Sequence, residues 1–340
     1  MAVRIKDVAE YSGVSVSTVS RVLNEHPDVS DAVRAKVLAA VKELHYIPNS
    51  SARDLVLPQS DTIGLVVRGI GSPFFTAVIR EVEQAAHQSG HTIVLHQIGS
   101  EENELLAAAG LARSKKLKGL ILLGGCFDYT PEQIAPLGVP FVCCSFTNSF
   151  GTLDPDTYSS VSIDDQAEAY RAVKLLTEQG HRKIAILLDC ANDRSISELR
   201  YCGYCQALAE AGIPLDEALV AETGEFTMAA AYEGTRRLLC SGTDFTALFA
   251  IADSMAIAAM KALSDGGRSV PEDCSMAAID GIELSAYTIP TLTSLAQPKE
   301  AMGAEAVRIL LDVAENRTGH RHVRLETTLR PGGSICPPSR

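Results

Sequence analysis

A cluster of short hydroxyl side chains with one arginine lies near the N-terminus of this sequence. Six polar residues make up the cluster: Ser15, Ser17, Thr18, Ser20, Arg21 and Asn24. Short hydroxyls let a helix approach phosphates closely, and an arginine can donate two parallel hydrogen bonds to the O6 and N7 atoms of guanine. On a helix, such a set can read the major groove of DNA. Val16 can add a contact to a thymine methyl, whereas Ser17 offers only a tolerant hydrogen bond, so Arg21 is the expected main specificity contact.

Three short amphipathic helices must present this face. Apolar residues occupy the opposite side of the first two helices and the turn at Gly13: Val8, Ala9, Val14, Val19, Val22 and Leu23. A third helix begins at Ser30, and its apolar positions recur at helical spacing: Val33, Val37, Ala40, Val41 and Leu44. The three segments predict a helix-turn-helix around a small core. Hydroxyl-rich amphipathic helices also occur in domains that never touch DNA, so this alternative stays open on the pattern alone.

Longer stretches of the sequence resemble a known family. The DNA-binding headpiece and hinge of the LacI/GalR family of bacterial transcription regulators are similar to IKDVAEYSGVSVSTVSRVLN and VSDAVRAKVLAAVKELHYIPNSSARDL. The resemblance continues through SPFF, HRKIAIL, RYCGYCQAL, VPEDCSMAAID and IPTLTSLAQP, so it covers nearly the whole chain.

This resemblance implies a hinge helix that folds on DNA. Leu55 then wedges between base pairs in the minor groove, Ala52 lies at a position of close approach, and Asn49 contacts a phosphate. Tyr46 belongs to the same implied set of DNA contacts. The alternative for this segment is a flexible linker with one incidental leucine.

Composition limits the class of protein. The chain has 340 residues, of which 46% are hydrophobic, but no apolar run reaches the roughly 18 residues of a membrane span, which favours a soluble protein. The N-terminus enters the helix-turn-helix without an apolar segment before it, so we expect a cytoplasmic protein. Nine cysteines cannot all pair within one chain, which favours a reducing compartment. Cys202 and Cys205 form a CxxC inside a predicted helix, and without a second ligand pair a zinc or redox role is not expected.

The charge distribution bears on how DNA can be bound. The formal net charge is −12, yet the chain through Pro58 contains seven basic and seven acidic residues, so the whole acidic excess belongs to the remainder. A headpiece with balanced charge binds DNA weakly by itself, and dimerisation is therefore expected. The final segment contains no leucine heptads, which makes a dimer the economical assembly.

From Thr62 onward, short apolar runs alternate with helical segments. The runs are typical of buried parallel strands: TIGLVV, HTIVLHQI, GLILLG and VPFVCCS in a first half, then KIAILL, TALFAI and SMAAI in a second. The fold class predicted is therefore α/β, with the helix-turn-helix headpiece followed by two doubly wound parallel sheets and a ligand site at the carboxyl ends of their strands.

The resemblance adds a division of the chain. It implies a headpiece over 1–46, a hinge helix and linker over 47–60, and a periplasmic-binding-protein-like core for effector binding and dimerisation over 61–340. The chain is expected to cross between the two subdomains near Ser159, Ile289 and His320. The N-subdomain then comprises about 61–158 and 290–320, and the C-subdomain about 159–289 and 321–340.

Several side chains could bind a small molecule between the two subdomains. The expected effector contacts are Phe74, Phe75, Arg194, Arg200, Phe226, Asp253 and Asp280. Aromatic rings can stack on a sugar or a base, a guanidinium can donate paired hydrogen bonds, and a carboxylate at a strand end can accept them from hydroxyl or amine groups. The alternatives are ordinary ones, since either Phe74 or Phe75 can be core and Asp280 can tie down its own loop. Arg200 is implied by the resemblance, because it stands at the arginine of the family's effector helix; without the family context it would be a solvated surface arginine. In a pair common in the family, Ala252 replaces the asparagine that precedes Asp253, so one polar effector contact is expected to be missing.

Three classes of protein make different predictions for this sequence. A solute-binding protein of sugar uptake or sensing shares the core fold, but it predicts a signal peptide and no headpiece. An enzyme needs a phosphate-cradling loop or a nucleophile with its base, and the sequence contains no GxxxxGK[ST], HExxH or GxSxG, so no catalytic residue, cofactor or metal is expected. A dimeric repressor on a pseudo-palindromic operator is favoured, controlled by a monosaccharide, sugar phosphate or nucleobase. Whether the effector releases or strengthens DNA binding does not follow from the sequence.

Overall fold

The structure is a computed structural model that describes residues 5–23, 28–44, 61–69, 71–99 and 102–338. The chain forms two compact units, Met1–Ser60 and Asp61–Arg340. Five of the expected DNA contacts lie outside the described residues: Asn24, Tyr46, Asn49, Ala52 and Leu55.

The N-terminal unit contains three helices, which the spacing of its apolar residues predicts. They are α1 (Ile5–Ser12), α2 (Val16–Leu23) and α3 (Asp31–Glu43). Their buried faces form one small core: Val8, Ala9, Val19, Val22, Val37 and Ala40. Gly13 turns the chain between α1 and α2 with φ +66°, a left-handed conformation that glycine adopts without steric cost. The helix-turn-helix prediction is confirmed.

A six-stranded parallel sheet forms the first lobe of the second unit, in the order β11-β5-β4-β3-β1-β2. Its strands are β1 (Thr62–Arg68), β2 (Thr92–Ile98), β3 (Gly119–Leu123), β4 (Phe141–Cys144), β5 (Ser159–Ser162) and β11 (His322–Arg324). Its main helices are α4 (Pro73–Gln88), α5 (Glu104–Lys115) and α11 (Lys299–Ala314), with a short α6 (Pro131–Ile134). Strands β3 and β4 are buried along their whole length, as helices on both faces of a parallel sheet require.

The second lobe repeats this architecture, in the order β12-β10-β9-β8-β6-β7. Its strands are β6 (Ile184–Leu188), β7 (Val220–Glu222), β8 (Ala247–Ala250), β9 (Ser275–Asp280), β10 (Thr293–Ala296) and β12 (Thr328–Arg330). All pairs are parallel except β10 with β12. The helices are α7 (Asp165–Glu178), α8 (Ile196–Glu210), α9 (Met228–Cys240) and α10 (Asp253–Asp265). The predicted α/β class with two doubly wound sheets is confirmed.

The crossings between the lobes differ slightly from the expected positions. Strand β5 pairs with β4 in the first lobe and β10 with β9 in the second, so the first two crossings follow Ser162 and Ala296. Strand β11 still belongs to the first lobe, and the last crossing follows Arg324. Each crossing therefore lies a few residues beyond the expected Ser159, Ile289 and His320. The reason is strand pairing, since β5, β10 and β11 have only four, four and three residues and include polar ones, so the sequence pattern does not indicate them as strands.

Candidate DNA-reading helix and effector cleft

The start of α2 is organised by hydroxyl groups. The backbone N–H of Thr18 donates to Ser15 Oγ over 3.1 Å, so Ser15 caps the helix. The same oxygen lies 2.8 Å from Ser17 Oγ and 2.8 Å from Thr18 Oγ1. Three hydroxyls thus surround the end of the helix where backbone N–H groups point outward, an arrangement suited to a phosphate.

The exposed face of α2 carries the expected base-reading residues. Ser17 and Arg21 are exposed and four residues apart, which places them on the same face of the helix. Val16 is 40% exposed, and Thr18 and Ser20 are half-buried. The opposite face, with Val19 and Val22, is buried in the core of the unit. Helix α2 therefore buries its apolar face and presents a polar face on which Arg21 is the one arginine.

In the second unit, Arg200 occupies the centre of a buried ionic cluster. It projects from α8, and its side chain is 1% exposed. Its Nε and Nη2 atoms donate to Asp165 Oδ1 over 3.0 and 2.8 Å, and Nη1 donates to the carbonyl of Ile251. Asp280 Oδ1 lies 3.7 Å from the same Nη1. Asp165 starts α7, Ile251 directly follows β8 and Asp280 ends β9, so the cluster lies at the carboxyl edge of the second sheet.

Asp253 and Asp280 differ in how their carboxylates are held. Asp253 accepts hydrogen bonds from Ile282 N over 2.9 Å and Ser294 Oγ over 2.5 Å, which tie it to the loop after β9 and to β10. Asp280 accepts one from the side-chain amide of Gln297 over 2.9 Å. Burial raises the pKa of Asp253 to about 6 and that of Asp280 to about 7, because a charged carboxylate loses hydration inside the protein.

Lys299 completes this cluster from the crossing that follows β10. Its ammonium donates to the carbonyls of Gly281 and Asp280 over 2.8 and 3.2 Å, and burial lowers the pKa of the amine. Sequence reasoning identified neither Lys299 nor Asp165 and Gln297. No spacing in the sequence signals them, because they meet Arg200 and Asp280 only through the folding of separate elements.

The three expected aromatic contacts have different surroundings. Phe74 is 5% exposed and belongs to the main core, which was the ordinary alternative for one of the pair. Phe75 is half-buried, and its ring lies against Gly124 at the carboxyl end of β3, where a Cβ would come within 2.7 Å of it. Phe226 is 39% exposed and follows β7. Phe75 and Phe226 therefore lie at the strand ends, while Phe74 faces away from solvent.

Arg194 is exposed, and it reaches the other lobe. Its Nη2 donates to the carbonyl of Phe150 over 2.5 Å, and its Nη1 lies 3.7 Å from Asp128 Oδ2. Both partners follow strands of the first sheet, whereas Arg194 follows β6 of the second.

Metal binding, thiol reactivity and membrane insertion find no support in the part of the chain that the structure describes. There, no group of three or more His, Cys, Asp or Glu side chains is close enough to hold a metal ion. Burial raises the pKa of the Cys202 and Cys205 thiols on α8, which makes both poor nucleophiles. Among the described helices, none has the length and apolar character needed to span a membrane.

Comparison with known proteins identifies the family. Residues 4–49 match the family model of bacterial regulatory proteins of the lacI family, and residues 173–335 match a periplasmic binding protein-like domain. The HTH-type transcriptional regulator MalR of Clostridium butyricum is 37% identical over 332 residues, which cover 96% of this chain and 97% of that protein. The chain belongs to the LacI family. The HTH-type transcriptional repressor PurR of Pectobacterium carotovorum is 33% identical over 324 residues, or 94% and 92% of the two chains.

Two solved structures match along nearly the whole chain. A transcriptional regulator CelR–cellobiose complex is 32% identical with a TM-score of 0.72, and it covers 98% of this chain and 99% of that one. The lac repressor dimer bound to operator and the anti-inducer ONPF is 26% identical with a TM-score of 0.81, over 99% and 100% of the chains.

Membership of the LacI family decides the general function. The protein is a sequence-specific, DNA-binding transcription regulator and not an enzyme. It binds operator DNA as a dimer and responds to a small-molecule effector, and it acts in the cytoplasm. The alternative of a solute-binding protein of transport is thereby set aside.

Proposed function

We propose that this LacI-family regulator is a repressor in which residues 1–46 read DNA, 47–60 form the hinge, and 61–340 bind the effector and dimerise. Two headpieces read the half-sites of a pseudo-palindromic operator. The observation that carries the proposal is the exposed face of α2, where Ser17 and Arg21 lie together on a helix capped by Ser15.

Each residue on this face has a proposed role. Arg21 donates to guanine O6 and N7, Val16 contacts a thymine methyl, and the hydroxyl groups around Ser15 bind a phosphate. The further proposed contacts are Ser17, Thr18, Ser20, Asn24, Tyr46, Asn49, Ala52 and Leu55, with Leu55 as the minor-groove wedge.

The proposed effector is a sugar-like molecule bound in the cleft between the two lobes. The proposed contacts are Phe75, Arg200, Phe226, Asp253 and Asp280. Phe74 packs in the main core and the guanidinium of Arg194 is engaged by the first lobe, so neither is proposed as a direct contact. Support comes from the half-buried Phe75 ring and exposed Phe226 at the strand ends, which suit stacking on a sugar ring, and from the buried carboxylate of Asp280, which suits hydroxyl groups. The match to a regulator bound to cellobiose favours a saccharide in addition.

The test of DNA reading starts from an operator selected in vitro with the full-length protein. Arg21→Ala is expected to weaken operator binding by about 1–3 kcal/mol and to relax the preference at one base pair of each half-site. Arg113→Ala removes the same charge from an exposed position on α5 in the second unit and serves as the control. Affinity is measured by fluorescence anisotropy at fixed salt, because phosphate contacts make it salt-dependent. Equal affinity and equal base preference for Arg21→Ala and wild type would remove Arg21 from the proposed readout.

The effector class is tested by thermal stabilisation of the full-length protein. A ligand of the native state raises its melting temperature, so neutral saccharides, sugar phosphates and purines are compared at matched concentrations. Stabilisation by saccharides supports the proposal, whereas stabilisation confined to purines contradicts it.

A further inference from the structure

Arg194 links the two lobes of the second unit through its guanidinium. The carbonyl of Phe150 accepts a hydrogen bond from Nη2 over 2.5 Å, and the Oδ2 atom of Asp128 lies 3.7 Å from Nη1, the other terminal nitrogen. Both of these groups belong to loops that leave the first sheet, after β4 and β3. Two loops of one lobe thus converge on a single side chain of the other.

The backbone around Arg194 is shaped for this contact. Arg194 has φ +55°, a left-handed conformation that costs a non-glycine residue free energy and therefore needs support. The support comes from Glu198, whose Oε2 accepts a hydrogen bond from the Arg194 N–H over 2.8 Å, and from Asp193, which accepts hydrogen bonds from Ser195 N and Oγ over 3.1 and 2.6 Å. The loop before α8 is thereby held in one conformation with the arginine directed toward the first lobe.

Apolar packing next to the arginine joins the same two lobes. Ile196 and Leu199, in the first turn of α8, pack against the hydrophobic cluster of the first lobe that contains Phe127 and Phe146. A directional polar contact and an apolar contact therefore lie side by side across the lobes. Together they restrain how far the two lobes can separate at this edge.

We infer that Arg194 is a positioning residue that sets the closure of the cleft, and that its influence on the effector passes through lobe closure. The inference rests on the proposed function, since it assumes an effector that binds between the lobes. It gives Arg194 a role distinct from that of the proposed contacts, because its guanidinium is engaged by groups of the other lobe, Phe150 and Asp128. A ligand that binds the closed arrangement has an apparent affinity proportional to the closed fraction, so weakening the link lowers affinity without removing a ligand contact.

The test compares variants of the full-length protein without and with effector. In the absence of any effector, Arg194→Ala is expected to increase hydrogen exchange in peptides that contain Tyr129 and Phe150, whose amides lie in the two contacted loops. With the saccharide found by thermal screening, the dissociation constant is expected to rise about three- to tenfold, because one charged hydrogen bond and one partly exposed ion pair are lost. Arg194→Lys keeps the positive charge but loses the two terminal nitrogens of the guanidinium, and Asp128→Asn keeps the size of the side chain but loses its negative charge. Both variants are therefore expected to have intermediate effects on exchange and on affinity.

Arg182→Ala provides the matched control. Arg182 is also an exposed arginine of the second lobe, but it donates to the carbonyl of Gly212 within that lobe, so neither exchange nor affinity should change. Weaker effector binding by Arg194→Ala with unchanged exchange in the effector-free protein would mean a direct ligand contact and would overturn the inference. Unchanged exchange and unchanged affinity would overturn it as well. If no small molecule binds the wild type, the proposed effector fails, while exchange in the effector-free protein still decides whether the link exists.

Discussion

Replacing Arg200 by methionine tests whether the buried ionic cluster holds the second lobe together. The arginine donates twice to Asp165 and once to the Ile251 carbonyl, and both of the charged side chains are buried. Removing one partner of a buried pair leaves an uncompensated charge, which typically costs about 3–5 kcal/mol. At roughly 2 °C per kcal/mol for a unit of this size, the melting temperature of the second unit should fall by about 6–10 °C.

Solution pH gives this prediction a second, independent readout. Burial already raises the pKa of Asp165 while Arg200 lowers it, so the Arg200→Met variant should raise it further. A carboxyl group with a raised pKa in the folded state is less destabilising when it is protonated, so the loss should be smaller at pH 5 than at pH 8. Urea denaturation followed by circular dichroism at the two pH values measures both effects.

Two further variants control the Arg200→Met experiment. Arg182→Met removes an exposed arginine from the same lobe and should change the free energy of unfolding by no more than about 0.5 kcal/mol. Adding Asp165→Asn to Arg200→Met should recover part of the loss, because the stranded charge is removed. A loss below about 1 kcal/mol for Arg200→Met, equal at both pH values, would show that the pair does not carry the stability assigned to it.

Two further predictions concern Asp280 and the contact between α7 and α8. Because burial raises the pKa of Asp280 from 3.8 to about 7, the folded protein keeps a proton that the unfolded chain has released, so its contribution to the free energy of unfolding falls as pH rises from about 4 to about 7. Asp280→Asn should flatten this slope in urea denaturation. Asp244→Asn, at an exposed carboxylate whose pKa Lys183 lowers, should not. Gly203→Ala would place a Cβ 2.2 Å from the Gln166 carbonyl and should cost about 1–3 kcal/mol in thermal denaturation, whereas Gly110→Ala, on a helix with open space among the described residues, should be neutral or stabilising.

Each of these two predictions has its own contradicting outcome. An unchanged pH slope for Asp280→Asn would mean that its carboxyl group titrates as in the unfolded chain. Equal melting temperatures for the two glycine variants would mean that α7 and α8 do not approach as closely at Gly203 as the structure indicates.

The headpiece is the part of the fold that could be predicted most completely. Its helices depend on apolar residues three and four positions apart, and these are the residues that form the core, from Val8 to Ala40. The central strands were equally recognisable, since β3 and β4 are unbroken apolar runs. By contrast, β5 and β11 are short and contain polar residues, so their sequences do not indicate strands. Only their hydrogen-bonded pairing with neighbouring strands shows that they belong to the sheet.

The candidate effector cleft was predictable only in part. Arg200 was expected as a ligand contact from the resemblance, and Asp280 from its place at the end of a strand. Nothing in their sequence neighbourhood indicates that Asp165, Gln297 and Lys299 bind them. Arg194 was expected to face the effector, and its contacts with Phe150 and Asp128 in the other lobe emerged from the structure.

By itself, the sequence determined the family through the motifs it shares with it. It also determined the helix-turn-helix and the alternating α/β pattern, because helical and strand periodicity are properties of neighbouring residues. Only the tertiary structure decided which charges are buried together, where the chain crosses between lobes, and which side chain links them. Those features depend on groups far apart in the chain, such as Arg200 with Asp165 or Arg194 with Phe150, and their burial and pKa follow from packing that no local spacing encodes.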